Sequence, residues 1–412
     1  MHASKRYENT LLAILFFTWG TVFLDRMSLL YLAPYFAPEF HLSHVQIGTL
    51  ASVLAITWAA STFFFGALSD RVGRKPVLVP AVFIFSILSV TTGLARSFHQ
   101  LLFIRALMGI AEGPTWSIMT ALIEESSHPS RRGRNIGLVV SAAALVGLAA
   151  APVLTTQVAS RWGWRSAFFV AGIPGLLMGF LIWRFVKEPA DAGGGITEEK
   201  PSLRDYLSIL RYRNMWLCCL GATGFMSWLF ALSVFAPLYI TEVAHQTPTT
   251  AGFLLGASGL GSFFLGFLLP SLSDRIGRKP VLLLMAALSA VVPLAFLVPV
   301  LYVYPLLLAA IVFVSNTGQG IASLVMVLIP TESVPAQFRA TSIGLATLVG
   351  EVMGATGAPV LAGGLAERHG LGLTMWLAAA GSVVLFLATL FLQETERPQA
   401  AGPRQSPDVH GA

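Results

Sequence analysis

Cysteine is nearly absent from this chain. Its 412 residues hold two, Cys218 and Cys219, adjacent inside an apolar run. Neighbouring helical side chains point about 100° apart, so the two form no ordinary disulfide with each other and say nothing of redox compartment. Charge is scarce as well. Acidic and basic side chains make up 11% of the chain, where a soluble domain carries about 25%. So few charges cannot cover the water-facing surface of a soluble body this size, which excludes a soluble enzyme. No phosphate-binding glycine loop, nucleotide fingerprint or metal-ligand spacing occurs, so no ATP-driven pump, metal site or cofactor is expected. The eight histidines all fall in loops or near the ends of apolar runs, which leaves no buried histidine relay. A cleavable signal is absent too. The first apolar run follows Lys5 and Arg6 and continues through Asp25 and Arg26 to Phe36 with no small-residue cleavage site, so it is a first membrane span.

What is present is apolar length. Hydrophobic residues make up 55% of the chain. The runs lie at 11–36, 45–68, 77–95, 100–123, 135–158, 166–186, 214–240, 250–270, 281–300, 302–330, 342–364 and 371–392. Each is long enough to cross a hydrocarbon core of about 30 Å. Backbone polar groups in lipid must be satisfied within the segment, so the expected fold is an all-α membrane protein of twelve helices. With both termini cytoplasmic, twenty Lys and Arg fall on the cytoplasmic side, four outside (Arg96, Arg161, Arg165, Arg368) and two within spans. That asymmetry is the positive-inside signature. It accounts for the basic pI of about 9.5 without any nucleic-acid partner. The glycine-rich stretch within 187–213 reads as a cytoplasmic linker between an N-terminal bundle (1–186) and a C-terminal bundle (214–392), and 393–412 as a cytoplasmic tail.

The halves repeat one another. Ser69-Asp-Arg-Val-Gly-Arg-Lys-Pro76 returns 204 residues later as Ser273-Asp-Arg-Ile-Gly-Arg-Lys-Pro280. Ala151-Pro-Val-Leu154 returns 207 later as Ala358-Pro-Val-Leu361, and Glu125 and Arg132 return as Glu332 and Arg339 at the same offset. Two equivalent six-helix bundles imply a pseudo-two-fold axis along the membrane normal, with substrate bound between the halves near mid-depth.

Gly66-x-Leu68-Ser69-Asp70-Arg71-x-Gly73-Arg74-Lys75, with its recurrence in the second half, resembles the signature of the major facilitator superfamily. The resemblance implies a rocking pair of bundles and an inner gate. Asp70, Arg71 and Arg74 would meet the cytoplasmic end of span eleven in that gate, and Asp274, Arg275 and Arg278 that of span five. Within the superfamily, Asp25-Arg26 through Pro34, Glu39 through Ser43, Gln46-x-Gly48, Arg105-x6-Glu112-Gly113, Trp162-Gly-Trp-Arg165-x-Ala-Phe168 and Pro237-x-Tyr239-x-x-Glu242 resemble the anion:cation symporters. That family imports carboxylated sugars and similar anions with protons. Asp25, Arg26, Arg105 and Glu112 also resemble the spinster-like lipid transporters, so these four alone do not choose between the families.

Five ionisable residues stand inside spans: Asp25, Arg26, Arg105, Glu112 and Glu351. A charge at a helix centre costs about 2.5–3.5 kcal/mol on insertion scales, so each needs a partner or a purpose. Counting about 1.5 Å per residue from the outer end puts Asp25, Arg26 and Glu112 near mid-depth and Arg105 further out. Asp25 and Arg26 are sequence neighbours and cannot neutralise each other on one helix face, so their partners come from other helices or from substrate. A guanidinium offers a bidentate fork to a carboxylate, and burial disfavours the charged form of a carboxyl group. Arg26 and Arg105 are therefore expected to bind an anion, and Asp25 and Glu112 to carry protons. Glu351 falls where the first half has Ala144, and is a second proton site, a gate or a structural partner. Asn316 and Gln319 occupy the repeat positions of Glu112 in span ten and are expected to read the substrate by hydrogen bonds; Tyr31, Tyr35, Trp58, Trp116 and Trp228 are placed to stack on it, Tyr31 and Trp116 foremost. Gly109-xxx-Gly113 and Gly350-xxx-Gly354 are packing seams.

The resulting expectation is a monomeric secondary transporter of a bacterial inner membrane, bathed in lipid, importing a small organic anion with protons as the coupling ion. The alternatives are an exporter or flippase of an amphipathic lipid or drug, and a transporter-shaped sensor or membrane enzyme. The last would need a large soluble domain or a nucleophile–base set, and neither is visible.

Overall fold

The computed structural model describes residues 5–128, 131–188, 209–335 and 338–395. The twelve long helices among them are α1 Lys5–Glu39, α2 His44–Val72, α3 Arg74–Thr92, α4 Phe98–Ser126, α5 Arg132–Trp162 and α6 Trp164–Phe185 in the first half. In the second they are α7 Arg213–Val243, α8 Pro248–Ile276, α9 Arg278–Phe296, α10 Pro305–Glu332, α11 Thr341–His369 and α12 Gly372–Phe391. Eleven of these are long and apolar enough to cross a membrane. The twelfth, α4, has the length, but Arg105 and Glu112 lower its hydropathy. Most of the expected linker and tail lie outside the described residues.

Turn chemistry sets the helix starts. Ser43 and Gln46 close a capping box on α2, and Ser97 and Thr247 accept from the backbone N–H three residues on at the starts of α4 and α8. Gly73 and Gly277 take φ of +102° and +105°, a backbone that a Cβ would strain. Each lets the chain reverse straight from one helix into the next. Wide π-type turns interrupt α5 at Ala143–Ala150 and α11 at Gly350–Gly357, again 207 residues apart. Such turns are frequent at functional sites, and no apolar periodicity announces them.

The starts of α1 and α7 and the ends of α4, α6 and α12 meet at one end of the bundle. There Glu8 holds Arg131 at 2.8 Å and Asn135 at 2.7 Å, and Asn214 bonds Ser333 and the Gln393 carbonyl, both at 3.0 Å. Glu8 is buried, a charge that sequence inspection passes over because it sits in the first turn of a span. At this termini end, the ion pairs among the described residues stay inside one half. The opposite end is clasped across the halves. Ser52 Oγ donates to the Thr356 carbonyl at 2.6 Å, and the Val45 N–H donates to Glu367 at 3.0 Å. His44 lies 3.6 Å from Glu242. Gly252 and Gly256 of α8 sit directly on Pro152, Val153 and Thr156 of α5. The molecule is therefore shut at the end away from its termini.

Candidate functional site

Small-residue seams bring the polar residues together. Gly109 and Gly113 let α4 lie against Leu54, Trp58 and Ser61 of α2, and Gly350 and Gly354 let α11 lie against Ala222 and Met226 of α7. Ser61 and Thr62 donate to the carbonyls of Ile110 and Gly113, which locks α2 to α4. With backbones this close, the interior holds Asp25 and Arg26 from α1, Arg105 and Glu112 from α4, and Glu351 from α11. All five are at most 5% exposed.

Arg26 Nη2 lies 3.4 Å from Glu351 Oε2. Three rings surround the same guanidinium, with Phe230 at 5.0 Å, Trp58 at 5.4 Å and Phe23 at 5.9 Å from its carbon to the ring centres. Cation–π contact of this kind holds a desolvated cation where water cannot. Asp25 faces Arg105, Ser89 and Glu112, and Glu112 in turn feels both arginines. Three carboxyl groups thus stand against two guanidiniums.

Most of their hydrogen-bonding capacity is unspent. Nε of Arg26, Nε and Nη2 of Arg105 and the indole N–H of Trp58 have no hydrogen-bond partner, and the Asp25 and Glu112 carboxyls have only each other and Ser89 in reach. Buried polar groups are normally paired, because an unpaired one costs the full loss of its hydration. Unpaired donors beside buried carboxyl groups, with one small space between Arg26 and Arg105, are what a site built for a polar guest and for protons presents. That space is nearly closed. Arg26, Arg105, Leu29, Leu50, Leu54 and Phe230 are among its walls, and about 10 Å³ is open to a water centre, roughly enough for one water. A carboxylate enters only when the helices part.

The neutral residues expected to read substrate lie elsewhere in this state. The helical run of α10 breaks at Asn316, whose backbone is extended. The Asn316 amide donates to Ser258 at 2.7 Å and its oxygen accepts from the Gly318 N–H at 3.0 Å. The Gln319 N–H donates to Ser262 at 3.0 Å, and the stem of its side chain lies against Gly266. Trp116 packs on Trp19 with ring centres 5.1 Å apart, and Tyr31 is part of the apolar core. None of these four lines the central space. The repeat correspondence to Glu112 gives the depth of Asn316 and Gln319 along span ten, and not which face of the helix turns inward.

The two signature loops form matching networks. Arg74 pairs with Asp70, the i,i+4 partner on its own loop, and with Glu125 at 3.0 Å. Arg278 pairs with Asp274 at 2.5 Å and Glu332 at 2.8 Å. Asp70, Asp274, Arg71 and Arg275 are exposed, and the expected approach of the aspartates to the opposite half is not made in this state. Glu188 and Glu394 complete the networks. Glu188 accepts from the N–H groups of Arg74 and Lys75, and Glu394 from those of Arg278 and Lys279. Each carboxylate thereby caps a helix start that its glycine cannot cap, at the positive end of the helix dipole. These two were missed, yet they stand 206 residues apart behind spans six and twelve, so the repeat itself marks them. At the opposite end, Glu39 receives Arg165 at 2.7 and 3.0 Å and the Trp164 indole at 2.7 Å. The hydrogen bonds from Arg165 and then Trp164 hold its carboxyl below the usual carboxylate range.

The model of the Major Facilitator Superfamily matches residues 15–358. A probable 4-methylmuconolactone transporter of Cupriavidus pinatubonensis is 30% identical over 362 residues, spanning 86% of this chain and 82% of that protein. A probable L-galactonate transporter of Escherichia coli is 27% identical over 277 residues, 62% of this chain and 60% of that one. Among solved structures, a bacterial homolog of the human lysosomal transporter Spinster, inward-facing and unoccupied, superposes with a TM-score of 0.74 at 22% identity, covering 94% of this chain and 97% of the other.

Proposed function

The chain belongs to the major facilitator superfamily, and from that premise we propose that it imports a small organic anion together with protons by alternating access. It is an integral multi-pass membrane transporter and not an enzyme. Its relatives carry organic acids and sugar acids, and two buried guanidiniums favour an anion over a neutral amphipath.

One observation carries the reading: Arg26 of the first half is held by Glu351 of the second, across the space where substrate would sit. Three acids and two guanidiniums leave one negative charge in excess, and an isolated buried charge is strongly unfavourable. One proton, shared between the facing Asp25 and Glu112, makes the empty site neutral. A substrate carboxylate that takes Arg26 displaces Glu351, which is neutral once it carries a proton of its own. Anion and proton then enter together, one for one with a monoanion. Arg105 offers the second fork.

The charge asymmetry supports cytoplasmic termini, and a bacterial inner membrane would supply the proton gradient. Each chain holds both halves of the path, so it acts as a monomer. In the opposite state, Asp70 and Asp274 reach across the termini end and close the inner gate with Arg71, Arg74, Arg275 and Arg278.

The test is uptake by protein-loaded liposomes over a panel of carboxylates, with and without an imposed pH gradient. Carboxylate uptake driven above equilibrium by an inward proton gradient is the expected result. Carboxylate exchange that ignores the gradient would remove proton coupling, and no carboxylate transport at all would remove the anion.

A further inference from the structure

The wide turn Gly350–Gly357 of α11 reaches from the central site to the seam that shuts the end away from the termini. Glu351, near its start, holds Arg26. Thr356, near its finish, gives its carbonyl to Ser52 of α2 at 2.6 Å. The matching turn of α5 has neither contact to make. Counting back 207 residues, Ala144 stands where Glu351 does and Ala149 where Thr356 does. Counting 204 on from Ser52 gives Gly256, which packs on the Ala149 carbonyl and has no hydroxyl to offer it. The repeat therefore breaks at both ends of one turn, where an acid and a hydrogen bond across the halves occur together.

Ser52 makes a contact that can be let go. Its hydroxyl has a second acceptor on its own helix, the Gly48 carbonyl at 3.0 Å, so releasing Thr356 orphans no donor. Glu351 supplies the reason to release it. Among the described residues, Arg26 on α1 is the charged group that faces Glu351. Against the turn, α7 sets Ala222 and Met226 and α2 sets Ser52, none of them titratable. An ionised carboxylate that loses its cation must regain water or another partner. From this depth it does so by moving its stretch of the turn, which carries Thr356 along. Given the reading that substrate takes Arg26, we infer that this turn ties the site to the gate at that end. The gate shuts when Glu351 is paired with Arg26 or protonated, and not when Glu351 is left ionised and alone. Ser52 is then a positioning residue of the gate. A carrier with an anion on Arg26 and no proton on Glu351 stays open to the side it loaded from, so the anion does not cross without its proton. Coupling of this kind needs an element with two arrangements that both sites bias, and a π-type turn set in an α-helix is such an element.

The experiment is hydrogen–deuterium exchange on the full chain in lipid nanodiscs near neutral pH, with no substrate present. Arg26→Gln leaves Glu351 alone. It should raise exchange severalfold at 44–52 of α2 and 356–367 of α11, with 248–256 at the start of α8 as in wild type. Adding Glu351→Gln should bring both segments back to wild-type rates, and Arg26→Lys, which keeps the charge, should hold them there. Wild-type rates in Arg26→Gln would overturn the inference. So would raised rates that Glu351→Gln does not restore, or an equal rise at 248–256, which would mark general loosening. Should Arg26→Gln not fold, the link is read in reverse. Ser52→Ala should raise exchange at 23–30, around Arg26, and Ser52→Thr, which keeps the hydroxyl, should not. Unchanged exchange at 23–30 in Ser52→Ala would overturn the link. Because no substrate enters, these outcomes judge the turn alone, and the uptake test above judges the anion and proton reading separately.

Discussion

Arg26 on α1 and Glu351 on α11, 325 residues apart in sequence, meet at 3.4 Å in the buried interior and join the two halves there. Removing one partner of a buried pair typically costs about 3–5 kcal/mol, because the survivor is left charged and alone. Glu351→Gln should therefore lower thermal stability in the absence of substrate, and a bound carboxylate should recover much of it. Ligand-dependent melting of the purified variant checks this. Equal stabilisation of wild type and variant by ligand would mean that Glu351 and substrate do not share Arg26.

Arg26→Lys keeps the charge and loses the planar fork. It should weaken carboxylate binding by at least about tenfold, with the helical fold intact by circular dichroism. Near-normal affinity would remove Arg26 from the binding site.

Asp25 and Glu112 face each other in the buried interior. Glu112→Gln mimics the protonated acid. Counterflow across a liposome membrane should survive, and accumulation against a gradient should fall to near equilibrium. Asp25→Asn should slow the return of the empty carrier. Full accumulation in both variants would exclude this pair from coupling.

In the present state Asp70 is spent on Arg74 within its own loop, so the termini end is free to open. Asp70→Asn and Asp274→Asn should both favour the state open at that end. Spin-label distances across it should lengthen on average, and unchanged distances would separate these residues from gating.

An ion pair within the first half, at the end away from the termini, has its own pH signature. Hydrogen bonds from Arg165 hold the Glu39 carboxyl below its usual value. A depressed acid contributes stability that is fully present above the unfolded carboxylate value of about 4.3 and is lost as pH falls through the lowered folded value. Between pH 5 and 8 the contribution is constant, so Glu39→Gln should leave the shape of a transport–pH profile unchanged there. Its melting temperature should depend less on pH below about pH 4 than that of wild type. A profile shifted within pH 5–8 would tie Glu39 to coupling.

The long helices, their two-fold repetition and the signature loops were legible because each leaves a local trace: apolar length, a repeated octapeptide, Lys and Arg clustered on one side. So was the cluster of Asp25, Arg26, Arg105 and Glu112, since charges inside spans are too costly to be incidental. The Arg26–Glu351 pairing was not, because nothing in a sequence links α1 to one face of α11 across 325 residues. The ring of Phe230 was hidden for another reason. In a chain where 11% of residues are aromatic, an inward ring looks like every lipid-facing one. The hydrogen bonds of Asn316 to Ser258 and Gly318 were not legible, because the break in α10 decides where that amide points in this state.

The exchange of Glu351 for substrate at Arg26 is tested most directly by counting protons as an anion binds. Purified wild-type protein in weakly buffered solution, read with a pH-sensitive dye, should take up about one proton for each monocarboxylate bound. Folded Glu351→Gln should bind the same carboxylate and take up none. Equal proton uptake by the two proteins would contradict the account.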